Sequence, residues 1–328
     1  MLENHYPVRT KKQTFCYPDF LYRILNGLII VMMASTTLRS QAAQLDELTL
    51  INTDDLLKAF GLEKVRRGRR LLAALCWWPA RQFAHKIIQY DQLVGQTGLR
   101  TAGAWAMTAF AAQLNIIHPE HVPATGPVLF LSNHPGMTDT VALFASIARP
   151  DLRIMAADRP FLNALPHTSS QLIYIHENAK HNLAAIRNAT THLRNEGALL
   201  TFPAGHIEPD PAVLPGATAS LQNWSESIAL FARLAPQTQI VPVLVSGVLS
   251  AKAQHTPLRF IRRAKKDREW LASTLQIIVP AYRPVQVQVA FGAPITPAGL
   301  GRANGLMDTV TAAMGRLIEQ QAPMELGR

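Results

Sequence analysis

Cysteine and charged residues are both scarce in this sequence. Only Cys16 and Cys76 occur among its 328 residues, and they form neither a disulfide framework nor a metal-binding pattern, so a reducing compartment is expected. Charged residues make up 16% of the chain and hydrophobic residues 48%. This composition excludes a disordered chain and indicates a folded protein with a large core. The length allows one large domain with an appendage, or two domains.

Acidic residues are fewer than basic ones, 22 against 32, which gives a formal net charge of +10. Such an excess suits an anionic partner: a lipid surface, a phosphorylated cofactor or nucleic acid. Nothing resembles a nucleic-acid-binding module, so no nucleic-acid partner is expected. The sequence contains no G-x-x-x-x-G-K-[ST] motif and no G-x-S-x-G motif, so neither a P-loop nor the usual serine hydrolase is supported. No cysteine or acid cluster accompanies the closely spaced histidines, and neither a metal nor a cofactor is expected.

Residues 24–38 form an uncharged apolar run that is shorter than the roughly 20 residues a spanning helix needs. Three interpretations fit this run. It is a membrane anchor or interfacial helix, a buried helix, or the apolar part of a signal peptide, since basic residues precede it. Residues 1–45 are therefore predicted to be an apolar or anchoring N-terminal segment.

Residues 46–117 are predicted to be a helical, membrane-associated region. One helix is expected to begin at Asp54 and to stop at Gly61, and another is expected to cover residues 101–117. Between them, over residues 66–78, arginines precede leucines and two tryptophans, which is typical of a helix lying on an anionic membrane. A helix with a solvated basic face and a packed apolar face would give the same pattern.

From residue 118 to the end of the chain, strand and helix patterns alternate. Five strand patterns are mostly continuous apolar runs, as expected when helices cover both faces of a sheet. They lie at residues 127–132, 152–157, 171–176, 198–205 and 240–248. A sixth pattern, at residues 285–295, alternates like a half-exposed edge strand. These features predict an α/β domain over residues 118–328, with a mostly parallel or mixed sheet covered by helices and an N-terminal helical segment before it.

The segment FLSNHPGMTD, residues 130–139, places a histidine and an aspartate five residues apart after an apolar strand. Open α/β sheets build their sites at such carboxyl ends of strands. Residues five apart within one helix point in different directions, so His134 must lie in the strand-to-helix turn and Asp139 in the helix. In that arrangement, His134 is a candidate general base for an attacking alcohol. Asp139 would fix its tautomer and stabilise the imidazolium.

The segment LLTFPAGHIEPDP, residues 199–211, is a second strand that ends in a proline–glycine turn. Together the two segments resemble blocks of the glycerolipid acyltransferases, the lysophosphatidate acyltransferase-like superfamily. Their first block is N-H-x-x-x-x-D and their third is F-P-E-G-T. The matching residues are Asn133, His134 and Asp139 in the first block, and Phe202, Pro203 and Gly205 in the third.

Looser likenesses to the second and fourth blocks occur at Arg159 and at Pro242, which is expected after a strand. The resemblance covers about residues 115–320, with the blocks in the right order. It implies a glycerol-3-phosphate acyltransferase-like fold and an O-acyltransferase of phospholipid biosynthesis on the cytoplasmic face of a membrane. The acyl donor would be acyl-CoA or acyl carrier protein, and the acceptor a lysolipid or glycerol-type alcohol. Anionic membrane is the expected surface partner.

The same resemblance implies the roles of individual residues. His134 and Asp139 would be catalytic, while Asn133 would hold the turn or the oxyanion. The substrate-binding residues would be Asn133, Arg159, Phe202, Pro203, Gly205, His206 and Pro242. A basic run at residues 259–270 either contacts the phosphates of lipid or acyl donor, or is a solvated loop.

The third block departs from the family pattern, because Ala204 replaces its glutamate and His206 its threonine. This departure argues against a phosphate-bearing acceptor such as lysophosphatidate. An F-P-A-G block resembles the branch that acylates lyso-ornithine lipids and related acceptors. Glu208 and Asp210 would then meet a cationic headgroup, unless they are simply solvated. Two alternatives to an acyltransferase are a non-catalytic lipid-binding relative and an acyl thioesterase that uses water as acceptor.

Overall fold

A seven-stranded mixed sheet organises the part of the chain that the computed structural model describes, residues 40–110, 113–136, 138–176, 182–297 and 303–321. The chain divides into two units, residues 1–46 and 47–328. Of the first unit, residues 40–46 are described and are helical. Cys16 and the apolar run at residues 24–38 lie outside the described residues. The architecture below is that of the second unit.

The sheet has strands with the following bounds: β1 Gln113–Ile117, β2 Val128–Ser132, β3 Arg153–Ala157, β4 Leu172–Ile175, β5 Ala198–Thr201, β6 Gln239–Ser246 and β7 Gln286–Phe291. The helices of this unit are α1 (residues 47–59), α2 Arg69–Phe110, α3 Asp139–Ser146, α4 Pro160–Asn163, α5 Pro166–Ser169, α6 Asn182–Arg194, α7 Ala217–Ser220, α8 Ser227–Leu234, α9 Ala251–Gln254, α10 Lys265–Ile278 and α11 Ala303–Gln320. No helix among the described residues is both long and apolar enough to cross a membrane.

The strand order is β1-β7-β6-β2-β5-β3-β4. The five strands from β6 to β4 are parallel, whereas β7 runs antiparallel to β6 and parallel to β1. All six predicted strands are present, and the α/β class with a mixed sheet and a preceding helical segment is confirmed. The carboxyl ends of β2, β5 and β6 therefore meet at one edge of the sheet, where the sequence motifs lie.

Two predictions at the other side of the sheet were wrong. The helix expected over residues 101–117 ends at Phe110, and residues 113–117 form β1. A short apolar run is compatible with either a helix or a strand. Residues 113–117 are a strand because they pair with β7. As a result β7 is not an edge strand, since β1 covers its outer side. Its alternation arises because Val287 and Val289 face the core while Gln286 and Gln288 face the other way.

The helices cover both faces of the sheet, as the continuous apolar strands predicted. On one face, α2 and α3 pack over Val128 and Phe130 of β2. On the other face, α6, α8 and α11 pack over Leu129 and Leu131 of the same strand. At Gly103, α2 approaches α3 so closely that a Cβ atom there would lie 2.7 Å from the backbone nitrogen of Ala145.

The first two helices differ in part from their predicted bounds. α1 is already helical at residue 47, so the predicted start at Asp54 is too late. The predicted stop is confirmed, because the helix ends just before Gly61, whose positive φ of 72° suits a helix terminus. α2 is interrupted at Gly98, which has a φ of 82°. The predicted division into residues 1–45, 46–117 and 118–328 stays a prediction.

A buried carboxylate in α2 holds the start of α5. Asp91 accepts hydrogen bonds from the backbone N–H and the hydroxyl of Thr168, at 2.7 and 2.8 Å, and from the N–H of His167 at 3.3 Å. Asp91 is almost fully buried. Because these N–H groups belong to the first turn of α5 and have no partner within that helix, the carboxylate of Asp91 satisfies them and ties the two helices together.

We expect Asp91→Ala to destabilise the protein by about 2–4 kcal/mol, because three donors would lose their acceptor in a buried place. Denaturant unfolding of the full chain, followed by circular dichroism, measures this loss. Asp308→Ala is the matched control, since Asp308 is an exposed carboxylate on α11. Equal midpoints for Asp91→Ala and Asp308→Ala would contradict the role given to Asp91.

Candidate active site

The turn after β2 is held by the side chain of Asn133. β2 is buried along its whole length, and Asn133 follows it directly. The Asn133 amide donates to the carbonyl of Val245 and accepts from the N–H of Val245, both at 2.8 Å. These are the contacts of a residue that holds the turn against β6. A contact of Asn133 with substrate stays a prediction.

His134 and Asp139 lie in the arrangement that their spacing predicted. His134 is in the turn, Asp139 is the first residue of α3, and His134 Nδ1 lies 2.7 Å from Asp139 Oδ2. Asp139 is completely buried and also accepts from the N–H of Gly136 and the hydroxyl of Thr140, both at 2.9 Å. The ionised carboxylate therefore requires the proton on Nδ1. The Nε2 atom makes no hydrogen bond to the described residues, and the side chain is 27% exposed.

Glu208 holds the backbone of His134 in place. The sequence did not predict this structural role. Its Oε2 accepts from the N–H of His134 at 3.1 Å, and its own N–H donates to the carbonyl of His134 at 2.8 Å. Its Oε1 accepts from Ser220 at 2.9 Å and from the indole of Trp224 at 3.0 Å. Glu208 is buried. Both expectations for Glu208, a contact with a cationic headgroup and a solvated acid, were therefore wrong.

Asp210 is likewise a buried structural acid and not a headgroup ligand. Its carboxylate accepts from the N–H groups of Ala212, Gly247 and Leu249, at 3.1, 2.8 and 2.9 Å. Burial raises the pKa of Asp210, although these N–H donors act to lower it. The loop after β5 is thus attached at Glu208 to the end of β2 and at Asp210 to the segment after β6.

The electrostatic surroundings of His134 favour its protonated form. Burial lowers the pKa of His134, but the carboxylate of Asp139 and its hydrogen bond raise it, and the charge of Glu208 raises it further. The pKa of His134 therefore lies above its ordinary value. A partner carboxylate that favours imidazolium is what a histidine needs in order to take up a proton during a reaction.

The third-block residues lie beside His134 or on the loop that follows. The ring of Phe202 lies 4.6 Å from that of His134, centroid to centroid. The carbonyl of Pro203 accepts from the N–H of Ser225 at 3.0 Å. Gly205 has a φ of 66°, and the space where a side chain would stand is open. His206 is exposed, and its Nδ1 lies 2.7 Å from the carbonyl of Ala204.

The two remaining predicted residues are not in contact with the His134–Asp139 pair. Arg159 is exposed at the start of α4, after β3, which is two strands away from β2. It lies near Asp55 of α1. Pro242 is inside β6, opposite Leu131, and not after the strand as expected. Pro242 therefore lies in the strand that pairs with β2, within the sheet that supports the site.

A cavity of about 710 Å³ lies over the β1 side of the sheet and contains none of the predicted site residues. Amide side chains line much of it: Gln113, Asn115, Gln286, Gln288, Gln320 and Gln321. The register of β1 and β7 sets Gln113 beside Gln286 and Asn115 beside Gln288, whereas Gln320 and Gln321 come from the end of α11. β1, the strand that the sequence did not predict, therefore forms one wall of the cavity, and β7 and the end of α11 contribute others.

Comparison with known proteins supports the resemblance that the motifs suggested. Residues 113–246 match the model of the acyltransferase family, and this range includes the His134–Asp139 pair and the loop after β5. Over these residues, the predicted resemblance to an acyltransferase family is confirmed. Among solved structures, the chain is similar to the 1-acyl-sn-glycerophosphate (LPA) acyltransferase PlsC from Thermotoga maritima, with 15% identity, a TM-score of 0.42, and coverage of 86% of this chain and 97% of that one. No curated protein matches the chain.

We expect Asp139→Asn to lower the pKa of His134, because it removes the negative charge that stabilises the imidazolium. Glu208→Gln should lower the pKa of His134 less, since Glu208 contributes least to raising it. Titration of the His134 imidazole by NMR measures both effects, and His134→Ala identifies its signal. An unchanged pKa of His134 in Asp139→Asn would show that the pair is not electrostatically coupled.

Proposed function

We propose that the protein is an O-acyltransferase that moves a fatty acyl chain from a thioester donor to a hydroxyl of a lysolipid or glycerol-type acceptor. The observation that carries this proposal is the hydrogen bond between His134 Nδ1 and Asp139 Oδ2 within the segment that matches the acyltransferase family. The donor is acyl-CoA or acyl carrier protein. The pair, the strand that bears it and the loop beside it form one site at the carboxyl edge of the sheet.

His134 acts as the general base in this proposal. Because Asp139 holds the proton on Nδ1, the lone pair of Nε2 is available to the acceptor hydroxyl. The hydroxyl oxygen attacks the thioester carbonyl as its proton passes to Nε2. The tetrahedral intermediate then collapses, the C–S bond breaks, and the imidazolium returns the proton to the leaving thiolate. The buried carboxylate of Asp139 stabilises the imidazolium between these two steps.

We expect His134→Ala to reduce turnover by a factor of about 10² to 10⁴, the usual contribution of a general base. In the wild type, kcat/KM should fall as the pH drops through the raised pKa of His134, because only neutral imidazole accepts the proton. Acyl transfer from labelled acyl-CoA to a panel of lysolipids, with products identified by mass spectrometry, measures both.

The matched control for this prediction is His85→Ala, since His85 is an exposed histidine on α2. Full activity in a folded His134→Ala protein would refute the mechanism. Release of free fatty acid in place of an acylated acceptor would favour the thioesterase alternative. Lipid binding without turnover in the wild type would favour the non-catalytic relative.

The acceptor in this proposal carries no phosphomonoester. A phosphate needs several donors, which arginine supplies as a bidentate fork. The described loop offers Ala204, an exposed His206 engaged with a backbone carbonyl, and a buried Glu208, none of which is a permanent cation facing the site. Arg159 at the start of α4 and Arg187 on α6 are exposed cations outside this loop, and they are the candidates to supply the missing positive charge.

We expect kcat/KM to be about tenfold or more higher for a lysolipid without a phosphomonoester than for lysophosphatidate, because charge-assisted hydrogen bonds to the phosphate are missing. Measuring kcat/KM for both acceptors with one acyl donor decides the point. Arg159→Gln should leave the ratio unchanged. A preference for lysophosphatidate that disappears in Arg159→Gln would show that Arg159 binds the phosphate and that the acceptor assignment is wrong.

We also propose that the protein works at the cytoplasmic face of a membrane, where its acceptor and product are located. The support comes from the start of α2, where Leu71, Leu75 and Trp78 are exposed beside the arginines of residues 66–70. Exposed leucine and tryptophan next to basic residues suit an anionic lipid surface, since apolar insertion and charge attraction are each weak alone.

A further inference from the structure

A second group of exposed apolar side chains lies far from α2 in the sequence, in a 3-10 helix at Pro257–Ile261. Leu258, Phe260 and Ile261 are 48%, 63% and 58% exposed, although they stand in a single turn. Trp270 on α10 is exposed as well. Scattered single apolar residues are normal on a protein surface, but several large ones within one short segment mark an interaction site.

The same segment is strongly basic. Residues 257–270, which we name the docking segment, contain six basic and two acidic residues. The guanidinium groups of Arg259 and Arg268 lie 5.0 and 5.8 Å from the centre of the Phe260 ring. Arg263 and Lys266 are exposed and form no ion pair with the described residues. Cationic side chains therefore flank Phe260, in a segment that carries more basic than acidic residues.

The docking segment packs beside the connection between α1 and α2. The guanidinium of Arg262 lies against Gly61, and a Cβ atom there would require it to move. Behind it, Leu271 and Leu275 of α10 are buried against Ala59 of α1. This packing joins the docking segment to the end of the helical region whose next helix, α2, begins with exposed leucines and tryptophans.

We propose that the docking segment is a membrane-docking surface that inserts Phe260 and Ile261 among anionic lipids. Three exposed apolar side chains in one turn suit insertion at the lipid boundary, while the surrounding cations suit lipid headgroups. The lipid surface is favoured because the exposed apolar side chains occur together with Arg263 and Lys266, which form no ion pair with the described residues, and this combination suits insertion beside anionic headgroups. The inference extends the proposed membrane function, but docking requires no catalysis and is measured separately.

The experiment is vesicle sedimentation of the full chain with phosphatidylcholine vesicles that contain or lack phosphatidylglycerol. The double variant Phe260→Ser, Ile261→Ser should bind about tenfold more weakly, because it loses two inserted apolar side chains. The control is Leu183→Ser, since Leu183 is an equally exposed leucine on α6 and should not affect binding.

The charge is tested with Arg263→Gln and Lys266→Gln. Each should weaken binding about fivefold to vesicles with phosphatidylglycerol, and added salt should reduce this difference. Arg233→Gln on α8 is the matched control for an exposed arginine elsewhere. Circular dichroism of each variant confirms that its fold is intact.

Wild-type vesicle binding by the folded double variant would overturn the proposal. So would variants that bind vesicles normally but lose affinity for acyl carrier protein, since the segment would then be a protein-binding site. His134→Ala protein separates this proposal from the enzymatic one. Docking is supported if the inactive His134→Ala protein binds vesicles like the wild type while the variants of the docking segment bind them more weakly. This result does not depend on which reaction the protein catalyses.

Discussion

The position of His134 depends on how the chain is held where β2 ends. Where a strand ends, the backbone groups of the adjacent strand lose their hydrogen-bond partners. Here the side chain of Asn133 replaces the missing backbone of β2 and pairs with β6. A carboxamide carries one acceptor and a donor, as a peptide group does, and so it satisfies both the N–H and the carbonyl of Val245. Aspartate lacks the donor and leucine lacks both. The chain can therefore leave the sheet and turn at His134 without exposing an unpaired backbone group in the core.

The buried carboxylates near this turn also have hydrogen-bond donors for their oxygens. Asp139, Glu208 and Asp210 are all buried, and each accepts three or more hydrogen bonds from described residues. A buried carboxylate is tolerated only when it is paired in this way. The three carboxylates therefore fix the backbone around the turn, while the His134 side chain, which contacts Asp139, stays 27% exposed.

The sequence was sufficient for the parallel strands and for the contact between His134 and Asp139, because both depend on local patterns. β2 is a continuous apolar run, and the five-residue spacing after it places His134 and Asp139 together only across a strand-to-helix turn. It was not sufficient for β1, whose five residues follow an apolar helix and become a strand only through pairing with β7. Nor could it give the role of Glu208, which lies 74 residues after His134. An acid in a proline-rich loop looks solvated until the fold of that loop is known.

The inward attachment of the loop after β5 has a consequence for how such a protein can diversify. Its anchors, Glu208 and Asp210, face the interior, whereas Ala204 to His206 lie ahead of them, with open space at Gly205. Ala204 is partly buried against the core cluster of α6, α8 and α11, and Gly205 has a positive φ that strains other residues. His206 is therefore the exposed position of this turn at which a side chain can change without disturbing the buried carboxylates. The part of the loop that is fixed by buried carboxylates and its exposed turn are therefore structurally separate. Under the proposed function, a change of acceptor is to be sought at His206, where it leaves the hydrogen bonds of Glu208 and Asp210 in place.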